Sequence, residues 1–234
     1  MRFLNWHMIN KAMILAAGFG TRLKPLTDNL PKALVPFKKG TMISYQIEKL
    51  KRSGVKEIVI NVHHFSELMI KYFQENDFGV KIDIIAEEEI LGTGGGILNA
   101  KEFLRTEEYF LVVNVDVYTN LDFELLINDY KTHKPFAMLA VQKRLTSRYL
   151  EFDDSFMLNG RVKSDIMKDK YFAFNGIHII SNEIFSLKEE VGYKDIIDIY
   201  IDKKKPVMGF DSGVSSFLDL GKTENLKVAE SLID

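Results

Sequence analysis

The apolar run Ala12–Ala17 stops at a glycine pair, Gly18 and Gly20, and no other stretch constrains the fold as much. Its length and its abrupt end suit a buried strand that runs into a loop. Glycine in that loop lets backbone N–H groups come close to a ligand. Arg22 follows at once and Lys32 ten residues later. Two cations beside exposed amides favour a polyphosphate. The chain is therefore expected to begin by building a site for a nucleoside triphosphate.

Two familiar glycine motifs do not fit. A dinucleotide fingerprint needs a third glycine where Leu23 stands, and an acid about 20 residues further on. Lys38, Lys39, Gly40 and Thr41 occupy that later region. A P-loop ends in Gly-Lys-Ser/Thr, and no such triplet closes this loop. The strand is followed by alternating patterns: a helix over Met42–Ser53, a strand over Glu57–Val62, a helix over Phe65–Gln74 and a strand over Val80–Ala86. A helix over Gly94–Leu104 and a very apolar strand over Tyr109–Val115 come next. Such alternation predicts a parallel or mixed sheet with helices on both faces.

From about residue 135 the pattern turns to strands, expected at Phe136–Gln142, Tyr149–Phe152, Phe156–Leu158 and Phe172–Ile180. Asn159-Gly160 reads as a hairpin turn. A short helix over Asp195–Lys203, strands at Met208–Phe210 and Phe217–Leu220, and a helix over Lys222–Leu232 close the chain. The reading is an extension over residues 1–10 and one α/β domain over 11–234. Residues 11–134 form its nucleotide half and 135–234 shape an acceptor pocket. Loops around Arg144–Arg148, Asp165–Lys170 and Tyr193 are expected to set that pocket's form. Met1–His7, ahead of a second methionine, are expected to pack loosely.

Composition removes several classes. The 234 residues carry a net charge of −2 with no basic stripe, which predicts no nucleic-acid partner. No apolar run approaches the ~18 residues of a membrane span, so no membrane partner is expected. The chain has no cysteine, which excludes disulfides and thiolate metal sites and is compatible with the cytoplasm.

Several residues stand where chemistry is done. Asp116 ends an apolar strand, the usual ligand side of an open α/β sheet. It can hold a metal against a phosphate or simply cap a helix. Asp219 interrupts the apolar Phe217–Leu220 stretch. A buried, unpaired carboxylate is costly there, and a cation shared with Asp116 would remove the cost; a plain turn before Gly221 is the other reading. Gly94, Gly95 and Gly96 open a helix after Leu91-Gly92-Thr93, and backbone contact with a ligand or a flexible turn would each use them. Glu87, Glu88 and Glu89 can accept from a base or ribose, or form a solvated run. Asn175 can meet sugar hydroxyls or serve the backbone. His63, His64 and Glu67 lack a third ligand nearby, and no nucleophile–His–Asp set points to covalent catalysis.

The series Ala-Ala-Gly-x-Gly-Thr-Arg-Leu, with Pro25, Leu26, Thr27, Pro31-Lys32 and Leu34-Val35, resembles the signature of the sugar-1-phosphate nucleotidyltransferases. The resemblance runs from Lys11 nearly to the end. It implies a three-layer α/β/α Rossmann-like mixed sheet of the nucleotide-diphospho-sugar transferase type. It implies a nucleoside triphosphate and a sugar 1-phosphate as substrates, with NDP-sugar and pyrophosphate as products. Arg22, Lys32 and Asp116 would be catalytic, and Asp116 and Asp219 would hold Mg²⁺. Ala16, Ala17, Gly18, Gly20, Thr21, Glu87, Gly94 and Gly95 would bind the nucleotide, and Asn175 and Gly176 the sugar. The combination of Thr93–Ile97, Val113–Tyr118 and Asp122-Phe123 looks most like N-acetylmuramate-1-phosphate uridylyltransferases, which implies UTP, N-acetylmuramate 1-phosphate and a role in the cell wall. Leu91-Gly92-Thr93 is also similar to mannose- and heptose-1-phosphate guanylyltransferases, the alternative. Val115 departs from the glycine many members carry. A silent nucleotide-sugar sensor would have lost Arg22, Lys32 or an aspartate. A glycosyltransferase would more often carry Asp-x-Asp, which Asp116-Val117-Tyr118 lacks. A monomer or homodimer is expected.

Overall fold

The computed structural model describes residues 9–187 and 194–232. The expected extension up to Met8, Tyr193 and the last two residues lie outside them. The first half contains β1 (Lys11–Leu15), β2 (Pro36–Phe37), β3 (Gly40–Thr41), α1 (Met42–Arg52), β4 (Glu57–Val62), α2 (Ser66–Glu75) and β5 (Lys81–Ala86). Then come α3 (Gly92–Asn99), α4 (Lys101–Leu104), β6 (Tyr109–Asn114), β7 (Val117–Thr119) and α5 (Phe123–His133). The second half contains β8 (Ala137–Gln142), β9 (Tyr149–Phe152), β10 (Leu158–Val162) and β11 (Tyr171–Ser181). It closes with α6 (Ile196–Asp202), β12 (Val207–Asp211), β13 (Phe217–Asp219) and α7 (Thr223–Ser231).

Nine of these strands form one mixed sheet. β6, β1, β4 and β5 run parallel, with Met13 opposite Val112 on one side and Val59 on the other. β11 joins antiparallel to β6, pairs with β8 along its other edge, and meets β9 through Tyr171 and Phe172. β12 lies parallel to β8, and β10 pairs with β9. Both halves of the chain thus share one sheet. The expected boundary after residue 10 falls too late: Ile9 is buried in the core, and the Asn10 carbonyl accepts from the amides of Lys56 and Glu57.

Side chains alternate across this sheet because a strand has a period of two. Ala12, Ile14, Ile58, Ile60, Leu111 and Val113 enter one core, which α1, α2, α5 and α7 cover. Met13, Val59, Phe110 and Val112 enter the other, which α3, α4 and α6 cover. The result is the expected α/β/α layering. Strands buried on both faces must be apolar throughout, which accounts for the apolar runs of β1 and β6.

Two local expectations are corrected, and one of the two readings of Asp116 falls away. Asn159-Gly160 lies inside β10 at a register shift, not in a turn. The turn precedes it, where Asp153 Oδ1 accepts from the amides of Ser155 and Met157, and an aspartate side chain that binds its own loop competes well with Asn-Gly. The single helix expected over Gly94–Leu104 is two, meeting at Ala100. Asp116 caps no helix; Asp122 does, accepting from the Glu124 amide at 2.9 Å.

Candidate active site

Adjacent parallel strands bring their carboxyl ends together. Leu15 of β1 pairs with Asn114 of β6, and the Val115 amide continues the ladder to the Leu15 carbonyl at 3.1 Å. The glycine loop leaves one strand here and Asp116 leaves the other. β13 then pairs antiparallel with β7, setting Asp219 opposite Val117, while the Leu220 amide donates to the Asp116 carbonyl at 2.8 Å. Both carboxylates border one small space. A Cβ on Gly221 would lie 2.8 Å from Asp219 Oδ1 and 3.0 Å from Asp116 Oδ2, so only glycine leaves that space open.

Two cations close it. Lys32, carried on a 3₁₀ turn after Pro31, donates from Nζ to Asp116 Oδ2. Arg22 makes a fork with Asp219, 2.6 Å from Nη1 to Oδ2 and 3.4 Å from Nη2 to Oδ1, with Asp116 Oδ2 3.8 Å from Nη2. Burial alone would push the Asp219 carboxyl up, but the hydrogen bond and charge of Arg22, the Gly221 amide and Lys32 together hold it below the usual carboxylate range. The Arg22 guanidinium is raised in turn, chiefly by its hydrogen bond to Asp219.

The glycine loop that leads into Arg22 passes close against Lys32. Gly20 has a left-handed backbone, φ +66°, and a Cβ there would lie 2.9 Å from Lys32 Cβ. The Thr27 hydroxyl donates to the Gly20 carbonyl at 2.9 Å. Within the described residues, the amides of Gly18, Phe19 and Gly20 donate to nothing. These amides lie beside Arg22 and Lys32, where the sequence reading expects an anion. The departure at Val115 is absorbed: its side chain is buried in the core that α1 covers.

No group of three or more His, Cys, Asp or Glu side chains among the described residues converges as a metal site. A pair of carboxylates that leaves the remaining positions to phosphate oxygens and water suits Mg²⁺, which rarely has an all-protein cage. His63 and His64 do not form a site either; the edge of Phe19 packs on both rings, and the Glu87 carbonyl lies 2.9 Å from His63 Nδ1.

On the expected nucleotide side, Glu87 is 6% exposed, unlike Glu88 and Glu89, and so belongs to no solvated run. Asn61 organises this corner. Its Oδ1 accepts from the Ala16 amide at 3.0 Å and its Nδ2 donates to Glu87 Oε1 at 2.7 Å. The sequence reading missed Asn61, whose signal is a single amide inside the apolar β4. The glycine triplet, read from sequence as a ligand contact or a flexible turn, also serves packing. A Cβ on Gly94 would lie 2.2 Å from Ile199 Cδ1 and 2.7 Å from the Lys194 carbonyl. The Gly94 amide already donates to that carbonyl at 2.9 Å. Gly96 packs on Asn61 and Glu87. Gly95 is part-exposed between them.

An open cleft of about 720 Å³ runs from Arg22, Asp116 and Asp219 to the second-half loops. Asn175 and Gly176 line it, as do Arg144, Arg148 and Lys222. Asn175 is only 2% exposed; its Nδ2 donates to Ser212 Oγ at 3.0 Å and its Oδ1 accepts from Arg144 Nε at 3.3 Å. Asn175 thus has a structural role in the cleft wall, and its partners are side chains, not backbone. Gly176 has φ +70° at an irregularity in β11, and a Cβ there would lie 2.7 Å from Asn114 Nδ2.

The sequence model described as nucleotidyl transferase matches residues 11–233. The mannose-1-phosphate guanyltransferase of Neurospora crassa is 43% identical over 136 residues, 57% of this chain and 37% of that protein. The D-glycero-alpha-D-manno-heptose 1-phosphate guanylyltransferase of Campylobacter jejuni is 28% identical over 222 residues, 92% of this chain and 96% of that protein. The chain thus spans less than half the length of the mannose-1-phosphate relative. HddC from Yersinia pseudotuberculosis has a similar fold, with a TM-score of 0.80 and 24% identity over 94% of this chain and 98% of that one.

Proposed function

The chain belongs to the nucleotidyl transferase family, and from that premise we propose that it is a sugar-1-phosphate guanylyltransferase, joining GTP to a mannose- or heptose-type 1-phosphate with release of pyrophosphate. One observation carries the reaction class: Asp116 and Asp219 border a single space beside Arg22, Lys32 and the open amides of the glycine loop. The names of the relatives favour guanine over the uridine and N-acetylmuramate preference expected from sequence.

In this reading an oxygen of the sugar phosphate attacks the α-phosphorus in line. The bond from the α-phosphorus to its bridging oxygen breaks, and that oxygen leaves on pyrophosphate. Such transfer needs positioning and charge neutralisation more than covalent help. The Gly18–Gly20 amides and Arg22 bind the β- and γ-phosphates. Lys32 neutralises the α-phosphate and the incoming oxygen. Asp116 and Asp219 would hold Mg²⁺, which when bound neutralises phosphate charge. Nucleotide binding requires Arg22 to exchange Asp219 for phosphate, a move its half-exposed side chain allows. Asn61 and Glu87 hold the strand ends on the base side, and Gly95 is the glycine of the triplet left to the nucleotide. Residues 135–232 supply the acceptor pocket.

The test is pyrophosphate release from four nucleoside triphosphates against a panel of sugar 1-phosphates with Mg²⁺. GTP with a manno-configured 1-phosphate is expected to be fastest. A preference for UTP would return the uridylyltransferase reading, and no release with any pair would overturn nucleotidyl transfer.

A further inference from the structure

Charges in the acceptor cleft are unevenly matched. Arg22 is paired with Asp219, and Arg161 with Asp195 and Asp198. Arg144 has no carboxylate within ion-pair distance among the described residues. It is nevertheless held at three points. Its Nη2 donates to the Phe174 carbonyl at 2.7 Å, its Nε to Asn175 Oδ1 at 3.3 Å, and its guanidinium lies 4.1 Å from the centre of the Phe217 ring. Asn175 is itself fixed by Ser212, whose hydroxyl donates to the Val141 carbonyl at 3.0 Å. A buried relay of two side chains thus holds one guanidinium at the wall of the cleft.

The arrangement is costly without a counter-ion. Burial lowers the Arg144 pKa, and Asp219, two residues beyond Phe217, offsets this only from a distance. Neutral acceptors satisfy two of five N–H donors and none of the charge. A planar fork with donors to spare, preset beside an open cleft, fits an oxyanion.

We propose that Arg144 binds an oxyanion of the acceptor substrate, a phosphate or a carboxylate, and that Asn175 is its positioning residue. This rests on the nucleotidyl transfer reading and narrows it. The anion is either the 1-phosphate common to every acceptor or a second acidic group on the sugar.

Arg144→Gln and Arg144→Lys separate the cases, assayed by pyrophosphate release with mannose 1-phosphate and glucuronate 1-phosphate. Arg144→Gln is expected to raise the acceptor KM about tenfold or more while the nucleotide KM stays within about twofold, as for loss of a charged hydrogen bond. Arg144→Lys should recover part of the loss, because it keeps the charge without the fork. Equal weakening of both acceptors assigns the 1-phosphate; weakening of glucuronate 1-phosphate alone assigns a second acidic group. An Arg144→Gln protein with native Tm and an unchanged acceptor KM overturns the inference and leaves nucleotidyl transfer standing. If wild type releases no pyrophosphate at all, the transfer reading fails separately. Calorimetric titration with inorganic phosphate and glucuronate 1-phosphate, the triphosphate site filled by a non-hydrolysable GTP analogue, then decides: weaker binding to Arg144→Gln supports the anion site and equal binding overturns it.

Discussion

Lys32 pairs with Asp116 and Arg22 with Asp219. In the proposed function those contacts hold the cations where phosphate charge would arrive, so substrate would exchange one anion for another and little side-chain freedom would remain to be lost. Lys32→Ala or Arg22→Ala is expected to slow turnover on the order of 10²-fold, from ~3 kcal/mol of lost electrostatic stabilisation. Pyrophosphate release under saturating substrate measures it, and near-normal turnover removes the residue from the mechanism. Asp219→Asn should weaken Mg²⁺ binding and loosen Arg22 together, seen as a higher Mg²⁺ requirement. At this scale the sequence was legible wherever a residue type admitted few uses. Arg22, Lys32, Asp116 and Asp219 all reach one place. Asn175 was less legible because an amide in a strand reads alike whether it meets a ligand or holds Arg144, and only the partners separate the two.

Elements position these residues through contacts far apart in sequence. The N-terminus of α3 docks on α6 by Gly94 against Ile199 and by the Ile196 amide donating to Thr93 Oγ1 at 2.8 Å. Gly94→Ala forces a Cβ into that contact and is expected to destabilise by about 1–3 kcal/mol, as overpacking does. Thermal denaturation checks it, and an unchanged Tm would mean that the helices separate freely. Apolar periodicity located most strands and helices because burial on both faces of the sheet leaves a strong pattern. The short β7 and the docking of α3 left none. Their reasons lie in pairing with β13 and α6, about a hundred residues away in the chain.

At the scale of the whole molecule, a buried histidine outside the site couples folding to pH. His178 of β11 is 1% exposed, and neither ring nitrogen has a hydrogen-bond partner among the described residues. Burial pushes its pKa down to about 3. The unfolded chain takes up this proton near pH 6.5 and the folded one does not. Its contribution is therefore complete above about pH 6.5 and falls by up to ~1.4 kcal/mol per pH unit as the solution is acidified toward its folded pKa. Urea denaturation across that range should show the loss, and His178→Phe should flatten it; an equal slope in both proteins would assign the acid sensitivity elsewhere.

In the proposed function one sheet joins a triphosphate cradle to an acceptor cleft, with the pair of aspartates between them. The most direct test is a crystal structure with Mn²⁺ and a non-hydrolysable GTP analogue. One anomalous peak is expected, directly coordinated by Asp116 and Asp219 and by phosphate oxygen, with Arg22 moved from Asp219 to the triphosphate. A cation bound away from either carboxylate, or a triphosphate bound away from Arg22 and Lys32, would contradict the account.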